Sequence, residues 1–249
     1  MKYGVADYGM NVWDGACYDI EARLERLKAI GYDGVERVYA VSADDALHKA
    51  ARYKRLGMDF ATCLGPNPEL SIQWTAGLGK AYIWIPLSPR DRDMDTFCRH
   101  SRLLSEACER WGITAALHNH MGTRIEAPGE LEHFLKECPR CGLVLDTAHL
   151  AAVDGDPVAI VRRYADRLSA VHLKDWLVTN PEVGLDRWPE RGRFCGLGKG
   201  NIGLDNIAVM KALREVGYDG WVFVEQDTHL QDPFVDLKES REHLSAAGS

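Results

Sequence analysis

The sequence predicts a closed (β/α)8 barrel built as one domain, and three observations predict it. Short apolar runs of strand length alternate with helical stretches along the whole 249-residue chain. The length matches that of an ordinary eight-fold α/β barrel. Four of the apolar runs end in metal-ligand or proton-transfer side chains: Leu117-His118-Asn119-His120, Leu145-Asp146-Thr147-Ala148-His149, Val171-His172-Leu173-Lys174 and Val224-Glu225. In a barrel of parallel strands those ends converge on one mouth, where active sites are built.

The elements follow in order. Residues 2–6 read as the first strand. Asp7-Tyr8-Gly9-Met10-Asn11 after it is not the Gly-rich phosphate loop that an open doubly wound sheet wants there. Residues 19–30 form a helix with Ile20, Leu24, Leu27 and Ile30 at helical spacing, and Gly31-Tyr32-Asp33-Gly34 turns into a second strand over 35–39. A helix over 43–56 is closed by Gly57, and a third strand over 59–64 runs into the loop Gly65-Pro66-Asn67-Pro68. The fourth strand is 81–86. A long helix over 93–111, ended by Gly112, leads to the fifth strand at 113–117. A short helix over 129–137 precedes the sixth strand, 143–145. Pro157 opens the next helix, 157–164, and the seventh strand is 168–173. Residues 176–203 read as a long irregular loop, which in a compact domain is usually functional. A helix over 204–216, an eighth strand over 221–224 and a helix over 236–246 complete a domain assigned to residues 1–249.

Composition narrows the function. With 46% apolar and 27% charged residues the chain is an ordinary globular one. A net charge of −7 argues against a general nucleic-acid surface, which needs clustered Lys and Arg. No apolar run approaches the ~18 residues of a membrane span, and the start Met1-Lys2-Tyr3-Gly4-Val5 lacks the apolar core of a signal peptide. The expectation is a cytoplasmic protein without membrane or nucleic-acid partners. Seven cysteines at unrelated spacings read as reduced thiols. Cys138-Pro139-Arg140-Cys141 has the spacing of half a zinc site or a redox pair, but without a second such pair it reads as structural.

The site candidates each have a plainer alternative. Asp146 suits a metal or a proton, or merely caps a helix. His172 at a strand end is a ligand or a satisfied core histidine. Lys174, two residues on, holds a substrate oxygen or pairs with Asp175. Glu225 ends a run too apolar to bury it unpaired. His118 and His120 share one strand face and suit metal binding or proton transfer. Glu126, in the following loop, is the weakest candidate. Glu36 inside a barrel strand binds substrate hydroxyls or pairs with Arg37. His149 is placed to share a metal or a substrate with Asp146, Asp227 lines the substrate pocket or faces the other way, and Trp13 and Trp176 stack on a sugar ring or fill the core. In the long loop, Arg187, Arg191, Arg193 and Lys199 suit an anionic group on the substrate, or are solvated.

At these residues the chain resembles the xylose isomerase-like TIM barrel superfamily of sugar phosphate isomerases and epimerases. The resemblance runs from Gly31-Tyr32-Asp33-Gly34-Val35-Glu36 to Gly217-Tyr218-Asp219-Gly220-Trp221, and the motifs look most like the inosose dehydratase subgroup. It implies a divalent metal, Mn2+, Co2+ or Mg2+ with Zn2+ also admissible, held by Asp146, His172 and Glu225. The fourth ligand of the family is a glutamate in a Leu-Glu-Asn-His pattern, where this chain has His118. Either His118 is itself a ligand or base, or Glu126 reaches in from the loop; the preferred reading takes Glu126 as the fourth ligand and leaves His118 free for proton transfer. The implied activity is proton abstraction beside the carbonyl of a ketose, keto-polyol or keto-inositol, with His118 or Glu225 as base and His120 or Lys174 as acid, ending in isomerisation or dehydration. The resemblance also implies a homodimer or homotetramer. An abasic-site endonuclease of the same superfamily, which needs more histidines and a basic groove, and a non-catalytic sugar-binding barrel are the competing readings.

Overall fold

Small and large side chains alternate around the inside of one parallel sheet. In the computed structural model, which describes residues 1–246, its strands are β1 (Lys2–Ala6), β2 (Gly34–Tyr39), β3 (Asp59–Leu64), β4 (Tyr82–Trp84), β5 (Thr114–His118), β6 (Gly142–Asp146), β7 (Leu168–Leu173) and β10 (Trp221–Glu225). The last three residues of the assigned domain, 247–249, lie outside the described ones. The strand order is β3-β2-β1-β10-β7-β6-β5-β4, every pairing is parallel, and the end strands β3 and β4 come into contact. This is the predicted barrel, eight strands nearly closed on themselves and ringed by helices.

The interior is layered. Ala6, Ala61, Tyr82, Ala116, Val144, Ala170 and Phe223 form one buried cluster, with Trp84 and Trp221 packed against it. Gly4 belongs to the same packing, since a Cβ there would lie 2.4 Å from the Phe223 ring. Side chains repeat on one strand face every second residue. Two positions on from this layer therefore stand His118 above Ala116, Asp146 above Val144, His172 above Ala170 and Glu225 above Phe223. The ladder aligns Asp146 with His172 across β6 and β7, and His172 with Phe223 across β7 and β10. The apolar layer is thus the floor of the site. The main hydrophobic core lies outside it, between the strands and helices such as Ala43–Leu56, Met94–Glu109 and Asn206–Glu215.

The structure departs from the sequence reading in several places, among them short unexpected helices at Tyr8–Val12 and Thr147–Ala151 and a last helix that starts at Pro233. Residues 176–203 are not an irregular loop. β8 (Asp175–Val178) and β9 (Gly192–Cys195) pair antiparallel, with short helical turns at Leu185–Arg187 and Trp188–Arg191 between them. A helix at Pro68–Gly77, capped by Asn67, occupies what reads as loop, because Leu70, Ile72, Trp74 and Ala76 fall at alternate positions and mask a helical stripe. β4 is only Tyr82–Trp84, shorter than the expected 81–86. β5, β6 and β10 each run one residue further than expected, so His118, Asp146 and Glu225 lie within strands. All seven cysteines are free. Cys138 and Cys141 are buried against the helix Met94–Glu109, their thiols facing the Cys98 and Ser101 carbonyls, which fits the structural reading of the pair. No helix among the described residues is long and apolar enough to cross a membrane.

Candidate functional site

His118, Asp146, His172 and Glu225 meet at the C-terminal mouth. Each offers a ligand-type atom, and these atoms all lie within 4.8 Å of one another. All four side chains are buried, Asp146 and His172 completely. Three buried polar atoms there lack a hydrogen-bond partner: His118 Nδ1, Asp146 Oδ2 and His172 Nε2. Orphaned buried donors and acceptors are costly and call for a reason. Two imidazoles and two carboxylates closing on one point are the donor set of a divalent transition-metal ion, so the residues present fit a metal.

The backbone around them is fixed. The Asn119 amide donates to the Asp146 carbonyl at 3.0 Å and accepts from the Asp146 N–H at 2.8 Å, clamping the end of β6. Asp146 Oδ1 accepts from the His149 N–H at 2.9 Å. Asp146 therefore does cap the short helix Thr147–Ala151, while its other oxygen faces the cluster. Thr147 and Asn206 hold the Lys174 backbone through its N–H and carbonyl.

Electrostatics divides the site into charged and neutral groups. His172 donates from Nδ1 to Glu225 Oε2 at 2.5 Å, and its Nε2 lies 3.0 Å from Glu36 Oε2 without hydrogen-bond alignment. Burial opposes charge on this ring, but the two carboxylates outweigh it and push the imidazole up to about 10. Lys174 is fully buried with Nζ 2.7 Å from Asp227, 3.6 Å from Glu225 and 3.8 Å from Asp146. Burial opposes its charge as well, yet these carboxylates raise it above the ordinary lysine value. Burial pushes Asp146 up to about 7, partly offset by Lys174. Burial, reinforced by His172, holds His118 well below the usual imidazole range; burial and Lys174 do the same for His149 and lower His120. His120 donates from Nδ1 to the Met121 carbonyl at 2.6 Å, which leaves Nε2 as its basic atom.

A cavity of about 640 Å3 opens above the cluster, walled by Tyr8, Arg37, Trp84, His120, Trp188 and Arg193 among others, with His118, Glu225 and Asp227 also facing it. A second cavity, of about 400 Å3, at Tyr82, Arg140 and Arg167 holds no such cluster of ligand-type side chains.

Several expected roles are revised. Glu126 does not join the four. Its carboxylate accepts from the Gly122 N–H at 2.5 Å and lies 3.7 Å from Arg90, because the loop turns it outward, and His118 occupies the fourth corner instead. Glu36 is enclosed by Tyr82 and Trp84, which donate to it at 3.0 and 2.8 Å, and faces His172 more closely than Arg37. It orients His172 from below and is shut off from the cavity. Trp176 is buried among Met121, Ala148 and Phe194, and Trp13 packs over Gly15; neither walls the cavity. Trp84 and Trp188 take that place, though a tryptophan in a strand and one in a long loop carried no signal distinguishing them from Trp176 and Trp13. Lys174 does not pair with Asp175, whose carboxylate accepts from the Trp176, Gly198 and Gly200 N–H groups. Of the four loop cations, Arg187 pairs with Glu190, Arg191 donates to the Pro181 and Val183 carbonyls, Lys199 pairs with Glu239, and Arg193 alone walls the cavity.

The model of the family described as xylose isomerase-like TIM barrel matches residues 24–247. The chain belongs to this family. Inosose dehydratase of Lactiplantibacillus plantarum is 32% identical over 210 residues, 81% of this chain and 65% of that one. The chain spans about half the length of the other curated relatives it matches first. Among solved structures, the probable 3-DHS dehydratase AsbF of Bacillus anthracis superposes with a TM-score of 0.76 at 13% identity, covering 98% of this chain and 99% of that one. A protein named IOLI, solved with a bound zinc atom, superposes with a TM-score of 0.71 at 16% identity, covering 100% and 96%. At these identities the two structures speak for the barrel alone. Within the xylose isomerase-like family the layered mouth of this chain is then the place to look for chemistry.

Proposed function

We propose that this barrel is a divalent-metal-dependent carbohydrate enzyme that removes a proton beside the carbonyl of a small keto-polyol and completes either a dehydration or an isomerisation. The observation that carries the reading is the buried quartet of His118, Asp146, His172 and Glu225, whose ligand-type atoms lie within 4.8 Å of one another. The inosose dehydratase relative supports the dehydrating version, and the neighbour solved with a bound zinc atom is in keeping with a metal on this barrel. Mixed imidazole and carboxylate donors suit Mn2+, Co2+ or Zn2+ better than Mg2+, which prefers oxygen alone.

When bound, such a cation polarises a carbonyl and steadies the charge that builds as the neighbouring C–H bond breaks. The remaining work falls to the chain. His120, neutral and with Nε2 unprotonated, takes the proton from carbon. For dehydration the β-hydroxyl leaves with a proton, supplied by the imidazolium so formed or by the Lys174 ammonium. His149 Nε2 lies 3.3 Å from Lys174 Nζ, while its Nδ1 accepts from the Met121 N–H. Glu36 and Glu225 hold His172 from both sides, and Trp84 and Trp188 give the cavity apolar faces for a ring's C–H surface. His118, expected as a base, is spent on the quartet. The substrate is a small carbohydrate, with no nucleic acid and no membrane involved, and the chain acts as a homodimer or homotetramer in the cytoplasm.

The test is turnover of keto-inositols and ketoses by EDTA-treated protein, with products followed by NMR. Activity should vanish on chelation and return with Mn2+, Co2+ or Zn2+. Full activity in the metal-free protein would end this reading.

A further inference from the structure

Arg37 is a charged group of the cavity wall whose one ion-pair contact among the described residues, to Glu36, is long. Side chains alternate along a strand, and β2 breaks that rule. Val35 and Val38 both join the outer hydrophobic layer, so Glu36 and Arg37 between them both turn inward. Arg37 lies with its guanidinium 4.3 Å from the centre of the Trp84 ring, and its side chain is only 15% exposed. Its nearest carboxylate, Glu36, is 3.8 Å from Nε and already accepts from Tyr82 and Trp84. Among the described residues Arg37 donates no hydrogen bond. A guanidinium carries five N–H groups in a rigid fork, and a stacked, half-desolvated fork without an acceptor is prepared for one that arrives with the ligand.

Charge balance points the same way. Glu36, Asp146, Glu225 and Asp227 face Lys174, Arg37 and, on the reading above, a divalent cation, which offset one another. Arg193, exposed on the ribbon across the cavity, adds a positive charge for which no ion pair is found among the described residues. A neutral polyol leaves that surplus unmet.

We infer that the substrate is a polyhydroxylated carbonyl compound bearing a carboxylate, and that Arg37, stacked on Trp84, binds the carboxylate as a specificity-determining residue. The inference rests on the proposed metal-dependent reading. A planar carboxylate matches the single fork in a bidentate manner, as a phosphate also does, so a sugar phosphate is one arm of the test.

The test uses the Mn2+-loaded protein and two ring probes of similar size, quinate, which is a carboxylate, and myo-inositol, which is not. Mn2+ stoichiometry is measured first for the wild type, Arg37→Gln and Arg37→Lys, with circular dichroism confirming the fold. Calorimetry should then show quinate binding the wild type about 10- to 100-fold more tightly than myo-inositol. That preference should disappear in Arg37→Gln and be partly kept in Arg37→Lys. Quinate affinity should also fall as sodium chloride is raised while that of myo-inositol holds, a readout on the wild type alone. Failure to bind Mn2+ would sink the metal-dependent reading itself. With Mn2+ bound, equal or tighter binding of myo-inositol, binding of neither probe, tighter binding of fructose 6-phosphate than of quinate, or a quinate preference that survives Arg37→Gln would overturn the carboxylate inference alone.

Discussion

Nδ1 of His172 lies 2.5 Å from Oε2 of Glu225, although 53 residues separate them in the chain. With Glu36 at 3.0 Å from the other ring nitrogen, the metal-free imidazole is gripped as a cation between two carboxylates. A metal needs a lone pair on this ring, so it competes with a proton.

Metal uptake should therefore release a proton. His172 is held up to about 10, above its ordinary 6.5, so at neutral pH it is protonated before the metal arrives. Affinity should rise with pH through the neutral range and level off as pH passes about 10. The expected signature is about one to two protons released per metal near pH 7, one from His172 and a fraction from Asp146, measured as the dependence of calorimetric enthalpy on buffer ionisation enthalpy. Binding that is independent of both pH and buffer would contradict the His172 ligand role.

Asp146→Asn separates stability from function. Burial raises the Asp146 carboxyl to about 7 from 3.8, so its ionisation favours the unfolded chain progressively between those two values. In the metal-free protein the substitution should raise the melting temperature at pH 8, with the gain shrinking as pH falls toward 4. The capping contact to the His149 N–H is retained by the amide oxygen. Manganese affinity should meanwhile fall by at least about 100-fold, exceeding the loss typical of groups that merely support ligands. A variant that is less stable at pH 8 and binds manganese normally would refute both halves.

The fourth corner of the quartet is decided by a pair of variants. Glu126→Gln should change manganese affinity by less than about threefold, because that carboxylate bonds to the Gly122 N–H in the loop. His118→Gln should weaken it by at least about 10-fold. The reverse ranking, read by equilibrium dialysis, would restore Glu126 as ligand.

The quartet and the barrel share one cause of legibility, the period-two strand pattern. Asp146, His172 and Glu225 each close an apolar run, and that pattern alone places them at one mouth. His118 was visible as a candidate, but its role was not, since the choice between His118 and Glu126 depends on the path of a loop that no periodicity constrains. Glu36 and Arg37 show the opposite limit. Strict alternation puts only one of them inside, and the break in β2 brings in both. The ribbon β8–β9 was hidden because Asp175-Trp176-Leu177-Val178 and Gly192-Arg193-Phe194-Cys195 are short and separated by 13 residues of polar chain, numbers 179–191, without a hairpin turn signal. The helix Pro68–Gly77 is masked although Asn67 and Pro68 are strong start signals, because its apolar residues fall at strand spacing.

Lys174→Met should be the most damaging single change at the mouth of the metal-free protein. It leaves Asp227, Glu225 and Asp146 facing one another without the ammonium that now sits 2.7 to 3.8 Å from each. Breaking a buried charge cluster from one side costs about 3–5 kcal/mol. Saturating manganese should recover part of the loss by supplying positive charge to Asp146 and Glu225, while Asp227 stays uncompensated. Urea unfolding with and without the metal measures both effects, and a loss below about 1 kcal/mol would show that the lysine is not held as a charged group.

Two tryptophans of the same segment should fail in opposite ways. Trp176 is 1% exposed and packs with Met121, Ala148 and Phe194 beneath the ribbon. Trp188 stands above it, with ring centroids 5.9 Å from His120 and 5.7 Å from Phe194, and faces the cavity. Trp176→Ala removes a fully buried ring and should cost about 3–5 kcal/mol of stability. Trp188→Ala should cost less, about 1–2 kcal/mol, since a half-buried ring gives up only part of its burial. It should instead weaken the binding of a cyclic polyol by about 10-fold through the lost apolar face. Urea midpoints for both variants and calorimetric titration with quinate for the Trp188 one distinguish the two roles. If Trp176→Ala unfolds like the wild type and loses ligand affinity while Trp188→Ala keeps it, then Trp176 is the ring that meets the substrate and the cavity lies beneath the ribbon rather than in front of it.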